Sequence, residues 1–395
     1  MSDGVGVQTM FATYGMALSR SGAFAVASHD NRIRIIDLVT TQVTTLAGSG
    51  NDAFADGQGT HASFNRAEGV AITPDNAFVL VGEGSATTSH RIRRIEIATG
   101  IVTTLAGNGV GYVDGIGTIA QFNEPRCIAM YPNGLYLLIS DQKNMRIRRL
   151  DLATRVVTTL AGSHSGFADG IGTNAQFSWQ YAIAIDPTGS FALICDYFNN
   201  RIRHLDLASM QVTTLAGSGA FGFQNGVGVG AKFTWPVGVA IDPTGSFALV
   251  ADSNQYVRRI DIATAQVTIL AGTGVASAVN GVGAQATFNS VHSISIDVSG
   301  TFALASDVGN NRFRRIALSS APCSAGYYCP TGSSSSTQAT CGAGTLCAAV
   351  SGLSAPTLCK AGYFCASGSF NARGAVDGQG TPLVSSAFWF LQCHI

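Results

Sequence analysis

The stretch FTWPVGVAIDPTGSFALVADSNQYVRRIDIATAQVTILAGTG, residues 233–274, contains four short β-type segments separated by turns. The segments cover residues 237–241, 247–251, 257–262 and 267–270. The turn after the first segment reads Asp-Pro-Thr-Gly, and the second segment ends at Asp252. Runs of four to six residues between Gly, Pro and Asp turns predict antiparallel strands.

This unit recurs along the chain with a period of about 55 residues. Its terminal Leu-Ala-Gly occurs five times, beginning at Leu46, Leu105, Leu160, Leu215 and Leu270. First-strand segments start near six positions: Gly15, Gly69, Cys127, Ala182, Gly238 and Ser293. Four strands per unit, repeated around a ring, is the plan of a β-propeller. We therefore predict an all-β fold in which residues 1–318 form a six-bladed propeller.

The two ends of the repeat region suggest how the ring is completed. No Val-Thr-Thr-Leu-Ala-Gly follows Arg315, so we predict a last blade of only three strands. Residues 3–11 align with residues 280–288, which form the connector after a fourth strand. The residues that complete the sixth blade would then lie before Met1, and we expect the natural protein to start earlier.

The units resemble NHL repeats. The resemblance depends on Pro-x-Gly-Val-Ala-Ile-Asp at residues 236–242 and Asp-x-x-Asn-x-Arg-Ile-Arg at residues 196–203. The connectors that begin Asp56-Gly-Gln-Gly, Asp114-Gly-Ile-Gly and Asp169-Gly-Ile-Gly also look like those of extracellular NHL propellers. The resemblance covers roughly residues 3–318 and implies a six-bladed propeller. It leaves function open, because NHL propellers include protein-binding, RNA-binding and enzymatic members.

Composition excludes several classes of protein. The chain has 23 Lys+Arg against 23 Asp+Glu, and only 12% of its residues are charged, which argues against a nucleic-acid partner. No run of eighteen apolar residues occurs, so no membrane span is predicted. A hydrophobic content of 46% excludes a disordered chain.

Two repeated residue types point to structural roles. Fifteen of the twenty Arg lie in the third strand of a unit, where each can reach the Asp that ends the second strand or the connector Asp. We interpret them as structural ion pairs rather than as a phosphate-binding stripe, because the net charge is zero. One connector Phe per unit is expected to be buried between blades: Phe64, Phe122, Phe177, Phe233 and Phe288.

Two positions vary from unit to unit, and both immediately precede the innermost strand. Two residues after the connector Phe stand Thr13, Arg66, Glu124, Trp179, Trp235 and Ser290. Four residues after it stand Gly15, Glu68, Arg126, Tyr181, Val237 and His292. Both sets should surround the channel mouth. Aromatic side chains surrounded by polar ones are typical of a recognition surface. The predicted ligand-binding residues are Arg66, Glu68, Glu124, Arg126, Trp179, Tyr181, Trp235 and His292.

Metal sites are the weaker interpretation. The Asp-Gly-x-Gly connectors could suggest calcium, yet Asn225 and Asn280 replace the Asp in two units, which favours a turn role. Five His residues are expected near one face: His29, His61, His90, His164 and His292. Zinc lyases built on NHL-like propellers bind their metal through convergent His residues, so a zinc site is the interpretation by analogy. No His pair has short ligand spacing, and Glu68 and Glu124 are too few for a calcium hydrolase. We predict no metal and no cofactor. Cys127 and Cys195 are expected to be small buried thiols.

A cysteine-rich segment follows the propeller. Six Cys recur in Cys-x5-Cys pairs with a period of eighteen: Cys323, Cys329, Cys341, Cys347, Cys359 and Cys365. The segment resembles the ephrin-receptor-like cysteine-rich module, which implies a small disulfide-rich module at residues 319–367. Six Cys allow fifteen pairings, and the sequence does not choose among them. Residues 368–395 are expected to be poorly ordered and contain a possible truncated connector.

These observations favour a non-enzymatic extracellular or cell-surface recognition protein. Its partner would be a protein or a glycan, bound at the channel-mouth face. The residues that begin the chain do not resemble a secretory signal, which again suggests that the natural protein starts earlier. The alternative is a zinc- or calcium-dependent lyase or hydrolase on the same fold.

Overall fold

The computed structural model describes residues 3–5, 13–84 and 89–318, together with the backbone of four two-residue strands further along the chain. Described residues up to Arg315, apart from Asn280–Gln285, belong to one compact unit, which is the propeller. Asn280–Gln285 and the described residues from Ile316 onwards belong to a second unit. The domain boundaries at residues 318 and 367 stay predictions.

The propeller contains six radially arranged antiparallel sheets, as the repeat predicts. The first blade comprises β1 (Gly4–Val5), β2 (Gly15–Leu18), β3 (Phe24–His29), β4 (Arg32–Asp37) and β5 (Gln42–Ala47). The second comprises β6 (Gly57–Gln58), β7 (Ala67–Ile72), β8 (Phe78–Gly84), β9 (His90–Glu96) and β10 (Ile101–Ala106). The third comprises β11 (Gly115–Ile116), β12 (Pro125–Met130), β13 (Tyr136–Asp141), β14 (Arg146–Asp151) and β15 (Val156–Ala161).

The remaining blades repeat this pattern. The fourth comprises β16 (Gly170–Ile171), β17 (Gln180–Ile185), β18 (Phe191–Asp196), β19 (Arg201–Asp206) and β20 (Gln211–Ala216). The fifth comprises β21 (Gly226–Val227), β22 (Pro236–Ile241), β23 (Phe247–Asp252), β24 (Tyr256–Asp261) and β25 (Gln266–Ala271). The sixth has only β26 (Val291–Ile296), β27 (Phe302–Asp307) and β28 (Arg312–Ala317), which confirms the three-stranded last blade. The inner strands β2 and β26 are in contact, so the ring is closed.

Each of the first five blades has one more strand than the sequence predicted. In four connectors the Gly after the first Asp or Asn, with the residue that follows it, pairs antiparallel with the outer strand of the next blade, as where Gly226 lies opposite Val267. In the first blade Gly4 lies opposite Val43 in the same way, so residues 3–5 occupy the place of a connector, as the alignment indicated. These short strands link successive blades through the backbone.

The connectors also contain single turns of 3-10 helix. These turns cover Gly59–His61, Gly117–Ile119, Gly172–Asn174, Gly228–Gly230 and Gly283–Gln285. Two further turns, Gln142–Asn144 and Val308–Asn310, follow the second strand of their blades. A positive φ of 51° to 56° at the first Gly of each connector turn explains the repeated Gly, because this conformation is strained for other residues.

The core lies between neighbouring blades. One cluster combines Val26 and Ile33 of the first blade with Val70, Val79 and Val81 of the second. The five connector Phe are at most 1% exposed, which confirms their predicted burial. Each lies beneath the guanidinium of a third-strand Arg, with Cζ-to-centroid distances of 4.9 to 5.3 Å.

One Arg per blade forms the predicted ion pair. In the third blade, Arg148 contacts Asp141 of the second strand and Asp114 of the connector, both at 2.7 Å. Arg93 and Arg203 repeat this arrangement, and Arg258 contacts Asp252 and Asn225. Asp114 also accepts bonds from the backbone and hydroxyl of Thr159 in the outer strand. The connector Asp therefore links two strands of the next blade, which is more than the turn role expected for it.

Tyr327–Tyr328 pairs with Ala339–Thr340, and Thr345–Leu346 pairs with Thr357–Leu358. The six tail cysteines, and residues 368–395, lie outside the described residues, and so does the predicted disulfide pairing. No helix in the described part of the chain is long and apolar enough to cross a bilayer.

Candidate functional site

The variable residues that follow the connector Phe by two positions share a backbone conformation. Arg66, Glu124, Trp179, Trp235 and Ser290 all have positive φ, between 52° and 62°. The left-handed conformation costs a residue with a side chain about 1–2 kcal/mol. Its repetition in five blades shows that the scaffold imposes it, whichever side chain is present. We call these five residues the rim residues.

Hydrogen bonds from the preceding blade hold the rim residues in place. The N–H of Arg66 donates to Asn31 Oδ1 at 2.9 Å, and the N–H of Trp235 donates to Asn200 Oδ1 at 3.1 Å. In the third blade the N–H of Glu124 donates to Nδ1 of buried His90 at 2.9 Å. His90 is therefore a structural acceptor rather than a metal ligand.

The second variable position forms a ring of side chains around the channel. In blades two to six the register shifts at this position, and a β-bulge of this kind re-aims a side chain. The ring consists of Tyr14, Glu68, Arg126, Tyr181, Val237 and His292. We call it the mouth ring.

The first-blade member of this ring differs from the sequence prediction, which gave Gly15. Gly15 lies opposite Ser28, as Cys127 lies opposite Ser140, so Gly15 corresponds to Cys127 rather than to Arg126. Tyr14, which is 49% exposed, takes the ring position. Counting from Phe11 gave the wrong residue because this blade has one residue fewer before its inner strand.

Charged side chains occupy the mouth on blades two and three. The carboxylate of Glu68 contacts Nε of Arg66 at 2.8 Å and Nε of Arg126 at 3.2 Å. Glu124 contacts Nζ of Lys143 at 2.7 Å. The two carboxylates are almost buried, whereas Arg66 is about half exposed. The sequence predicted that these Arg and Glu residues lie on one face. In the structure, three of them form ion pairs with one another: Arg66, Glu68 and Arg126.

Aromatic side chains occupy the mouth on blades four and five. Tyr181 stacks on Tyr197 with ring centroids 4.3 Å apart, and Tyr197 stacks on Trp235 at 5.7 Å. The interplanar angles are 21° and 16°, so the three rings are nearly parallel. Phe198 packs edge-on against both Trp179 and Tyr197, at 5.3 Å and 4.9 Å. We call Tyr181, Tyr197 and Trp235 the aromatic stack.

The charged and aromatic halves meet at Arg126. Its guanidinium carbon lies 4.1 Å from the ring centroid of Tyr181, within the range of a cation–π contact. His292 closes the ring between the rings of Tyr14 at 5.0 Å and Tyr181 at 6.0 Å. All eight residues predicted for the site therefore lie at the channel mouth. Seven of them are connected by contacts into one continuous surface, whereas Glu124 contacts Lys143 instead.

Burial shifts the pKa values at the mouth. It raises the pKa of the Glu68 carboxyl, although Arg126 and Arg66 oppose the shift. Burial, together with the smaller effect of the nearby Arg126 charge, lowers the pKa of His292 to about 4. His292 is consequently neutral at pH 7 and adds no charge to the mouth.

Below the mouth ring the channel becomes narrow and mostly aliphatic. The cavity has a volume of about 300 Å³, at the lower end of the range for small-ligand pockets. Each inner strand contributes small or branched residues to its wall, such as Val70 and Ile72. The charged and aromatic side chains of the lining all belong to the mouth ring, whereas Ser293 and Ser295 line the channel further along the sixth inner strand.

No group of three His, Cys, Asp or Glu that could hold a metal occurs among the residues that the structure describes. The zinc or calcium enzyme stays an untested alternative. Cys127 and Cys195 are free thiols, and burial raises the pKa of Cys127 to about 11, which keeps it protonated. Cys195 is fully buried, whereas Cys127 is only partly so by exposed area.

Several residues of this surface were missed by sequence analysis. Tyr197, Phe198 and Lys143 lie in the turn after the second strand, where the blades read Asp141-Gln-Lys-Asn and Asp196-Tyr-Phe-Asn. These turn positions vary between blades just as the rim does. Applying the same comparison to this turn would have found them.

Comparisons with known proteins agree with this architecture. No protein-family model matches the chain. The chain is 26% identical over 343 residues to NHL repeat-containing protein 2 of Gallus gallus, covering 77% of this chain and 46% of that protein. The described residues form a six-bladed propeller, and the sequence similarity to NHL repeat-containing protein 2 agrees with the predicted resemblance to NHL repeats. The cysteine-rich part of the predicted resemblance lies outside the described residues.

Other relatives extend the comparison without adding a function. Protein SUPPRESSOR OF QUENCHING 1, chloroplastic, of Arabidopsis thaliana is 29% identical over 255 residues, which is 60% of this chain and 24% of that protein. The chain therefore spans less than half the length of these relatives. An auxiliary nutrient binding protein from Bacteroides thetaiotaomicron shares the fold, with a TM-score of 0.58 and 16% identity, covering 78% of this chain and 69% of that one.

Proposed function

We propose that the NHL-type propeller is a non-enzymatic recognition module that binds a protein or a glycan through its channel-mouth face. The observation that carries this proposal is the continuous surface formed by Arg126 and the aromatic stack. Large, rigid aromatic rings beside a fixed guanidinium are the groups that contribute most to binding energy in known interfaces. Trp235 is 40% exposed, which leaves its ring available to a partner.

The distribution of constant and variable residues supports the same function. The third-strand Arg with their buried ion pairs, and the connector Phe, recur from blade to blade and stabilise the scaffold. The rim residues keep one backbone conformation while their side chains change from Arg to Glu to Trp. Such a scaffold presents different side chains at fixed positions, which is what a recognition surface requires.

Alanine variants test the proposed surface. Fluorescently labelled protein is applied to an array of glycans and an array of purified extracellular protein domains, and each ligand found is titrated against Trp179→Ala and Trp235→Ala. We expect each variant to weaken binding at least about tenfold, as hot-spot residues do. Leu135→Ser is the matched control, because Leu135 is 54% exposed in the turn at the opposite end of the inner strand. If every ligand binds both Trp variants as tightly as the wild type, the assignment of this surface is wrong.

An extracellular or cell-surface location is part of the proposal. It is motivated by the density of cysteines between Cys323 and Cys365, since disulfides persist in oxidising compartments. Mass mapping of the protein purified from its native source tests it. Disulfides among these six cysteines are expected, and six reduced thiols would contradict the location.

A further inference from the structure

Arg126 is held rigidly by contacts that leave part of its hydrogen-bonding capacity unused. Its Nε contacts Glu68, its plane lies against Tyr181, and its side chain is only 9% exposed. Its two terminal nitrogens make no hydrogen bond to any residue that the structure describes, and Arg126 lines the channel cavity. A guanidinium has five N–H donors in a planar fork that matches a carboxylate. The unused donors of this fork therefore belong to a side chain that lines the cavity.

The charges around Arg126 leave the mouth positive. Glu68 is shared between Arg66 and Arg126, and Glu124 is paired with Lys143. Three cations are therefore balanced by two carboxylates at the described mouth. The side chains next to Arg126 on its other sides are Tyr14 and His292, and neither is a carboxylate that could pair with it. An anionic ligand group would complete the balance.

The aromatic stack begins directly at Arg126. Tyr181 lies between the guanidinium and Tyr197, and Trp235 follows on the far side of Tyr197. The faces of Tyr181 and Tyr197 are covered by their neighbours in the stack, so the ring that remains available to a ligand is that of Trp235, which is 40% exposed. An exposed aromatic ring of this kind packs against flat ring-shaped ligands, and the C–H face of a sugar ring is one such surface. A cavity of about 300 Å³ admits one group of that size but not a folded segment of protein.

From this arrangement we propose that the mouth binds a glycan that ends in a carboxylated sugar. The carboxylate pairs with the terminal nitrogens of Arg126, and the following sugar rings lie along the mouth towards Trp235. This inference deepens the proposed recognition function and rests on it. Peptide carboxylates share the charge but lack the ring that the aromatic stack would contact, so the geometry favours the sugar.

The first experiment uses the wild-type chain and needs no variant. Oligosaccharides with a terminal glucuronic or galacturonic acid are titrated against the protein, with tryptophan fluorescence as the signal. The same oligosaccharides with the carboxyl group reduced to an alcohol are the matched probes, and a short peptide with a free carboxyl terminus is the comparison. We expect one acidic oligosaccharide to bind about 10- to 100-fold more tightly than its reduced form, as for loss of a charge-assisted bidentate pair.

A second experiment assigns the effect to Arg126. Arg126→Gln should remove the preference for the acidic form, and Arg126→Lys should restore it only in part because an ammonium lacks the planar fork. Arg155→Gln is the matched control, since Arg155 is exposed in the turn between β14 and β15 at the other end of the blade. Circular dichroism confirms that each variant is folded.

The outcomes separate this inference from the proposed function. Equal affinity for acidic and reduced oligosaccharides, no binding to either, or tighter binding of the peptide overturns the carboxylated-sugar assignment. Any of these results leaves the recognition function standing if Trp235→Ala still abolishes binding of a ligand found on the arrays. Loss of the Trp235 effect for every ligand overturns both.

Discussion

The guanidinium of Arg148 and the carboxylate of Asp141 form a salt bridge of 2.7 Å in which neither side chain is exposed. The same pair recurs as Arg203–Asp196 and Arg258–Asp252. A buried ion pair is sustained only when its remaining donors and acceptors are also satisfied. Arg148 meets this condition, because it also donates to Asp114 and to the carbonyl oxygens of Gln121 and Val113.

Replacing Arg148 should destabilise the propeller strongly. Arg148→Met leaves Asp141 buried without its cation, and we expect the free energy of unfolding to fall by about 3–5 kcal/mol. Arg149→Met is the control, because Arg149 is only partly buried and lies over Tyr136. Urea denaturation monitored by circular dichroism measures both. Equal losses in the two variants would contradict a special role for the buried pair.

The connector Phe should be as important to stability. Phe177→Ala removes a fully buried ring from between two blades, and a decrease of about 3–5 kcal/mol in the free energy of unfolding is expected. Phe221→Ala is the comparison, since Phe221 is 60% exposed. A loss below about 1 kcal/mol for Phe177→Ala, measured by the same method, would show that the blades repack around the cavity.

The number of blades and the limits of their strands were predictable because the copies of the repeat within one sequence can be aligned with one another. In residues 233–274, each of the four predicted segments corresponds to one strand. The observed limits of these strands differ from the predicted limits by at most one residue. The fifth strand of each sheet was not predictable in this way. Gly226–Val227 pairs with a strand of the next blade, and a pairing of that kind depends on how the blades are placed, not on local apolar pattern.

The site was only partly predictable. The backbone places the residues just before the inner strand at the channel mouth, as predicted, while their role in ligand binding stays a prediction. The contacts between them depend on three-dimensional neighbours: Glu68 contacts Arg66, two residues before it in its own blade, and Arg126 on the inner strand of the next blade. Tyr14 was missed because the blade-one segment is one residue shorter, which a count from the connector Phe does not detect.

Lys143 and Phe198 occupy the same turn position in neighbouring blades, and each contacts the rim residue of its own blade. Lys143 pairs with Glu124, and Phe198 packs against Trp179. Each turn residue therefore matches the chemistry of its rim residue. The scaffold accommodates an ion pair and an aromatic pair at equivalent places.

Exchange of these pairs tests whether the scaffold tolerates different ligand-contacting residues. The single change Lys143→Phe leaves the carboxylate of Glu124, 7% exposed, without its cation, and should lower the free energy of unfolding by about 1–3 kcal/mol. The double change Glu124→Trp with Lys143→Phe recreates the blade-four pair and should recover stability to within about 1 kcal/mol of the wild type. Thermal or urea unfolding of all three proteins measures the coupling. A double variant less stable than the Lys143→Phe variant would show that the rim is specific to its side chains.

The pH dependence of stability should report the state of His292. Burial lowers its pKa in the folded protein to about 4, while an unfolded chain has the ordinary value near 6.5. Between these values the unfolded state binds more protons, so the contribution of His292 to stability is present above about pH 6.5 and is lost as the pH falls towards 4. Buried carboxyls with raised pKa values, such as Asp141 and Asp252, change stability in the opposite direction over part of this range, so the comparison must be between variants.

We expect His292→Gln to reduce the loss of stability between pH 7 and pH 4.5 by about 2 kcal/mol relative to the wild type. Ser290→Ala, at a rim position without a titratable group, should show the wild-type pH dependence. Urea denaturation at several pH values measures the slopes, and NMR titration of ¹³C-labelled histidine follows the ring of His292 directly, because its signal is the one absent from the Gln variant. Because the charge of Arg126 contributes to the lowered pKa of His292, Arg126→Gln should raise the midpoint of the His292 titration. A midpoint near 6.5 in the wild-type protein would mean that His292 is charged at mildly acidic pH, and that the mouth holds more positive charge than the contacts described above assign to it.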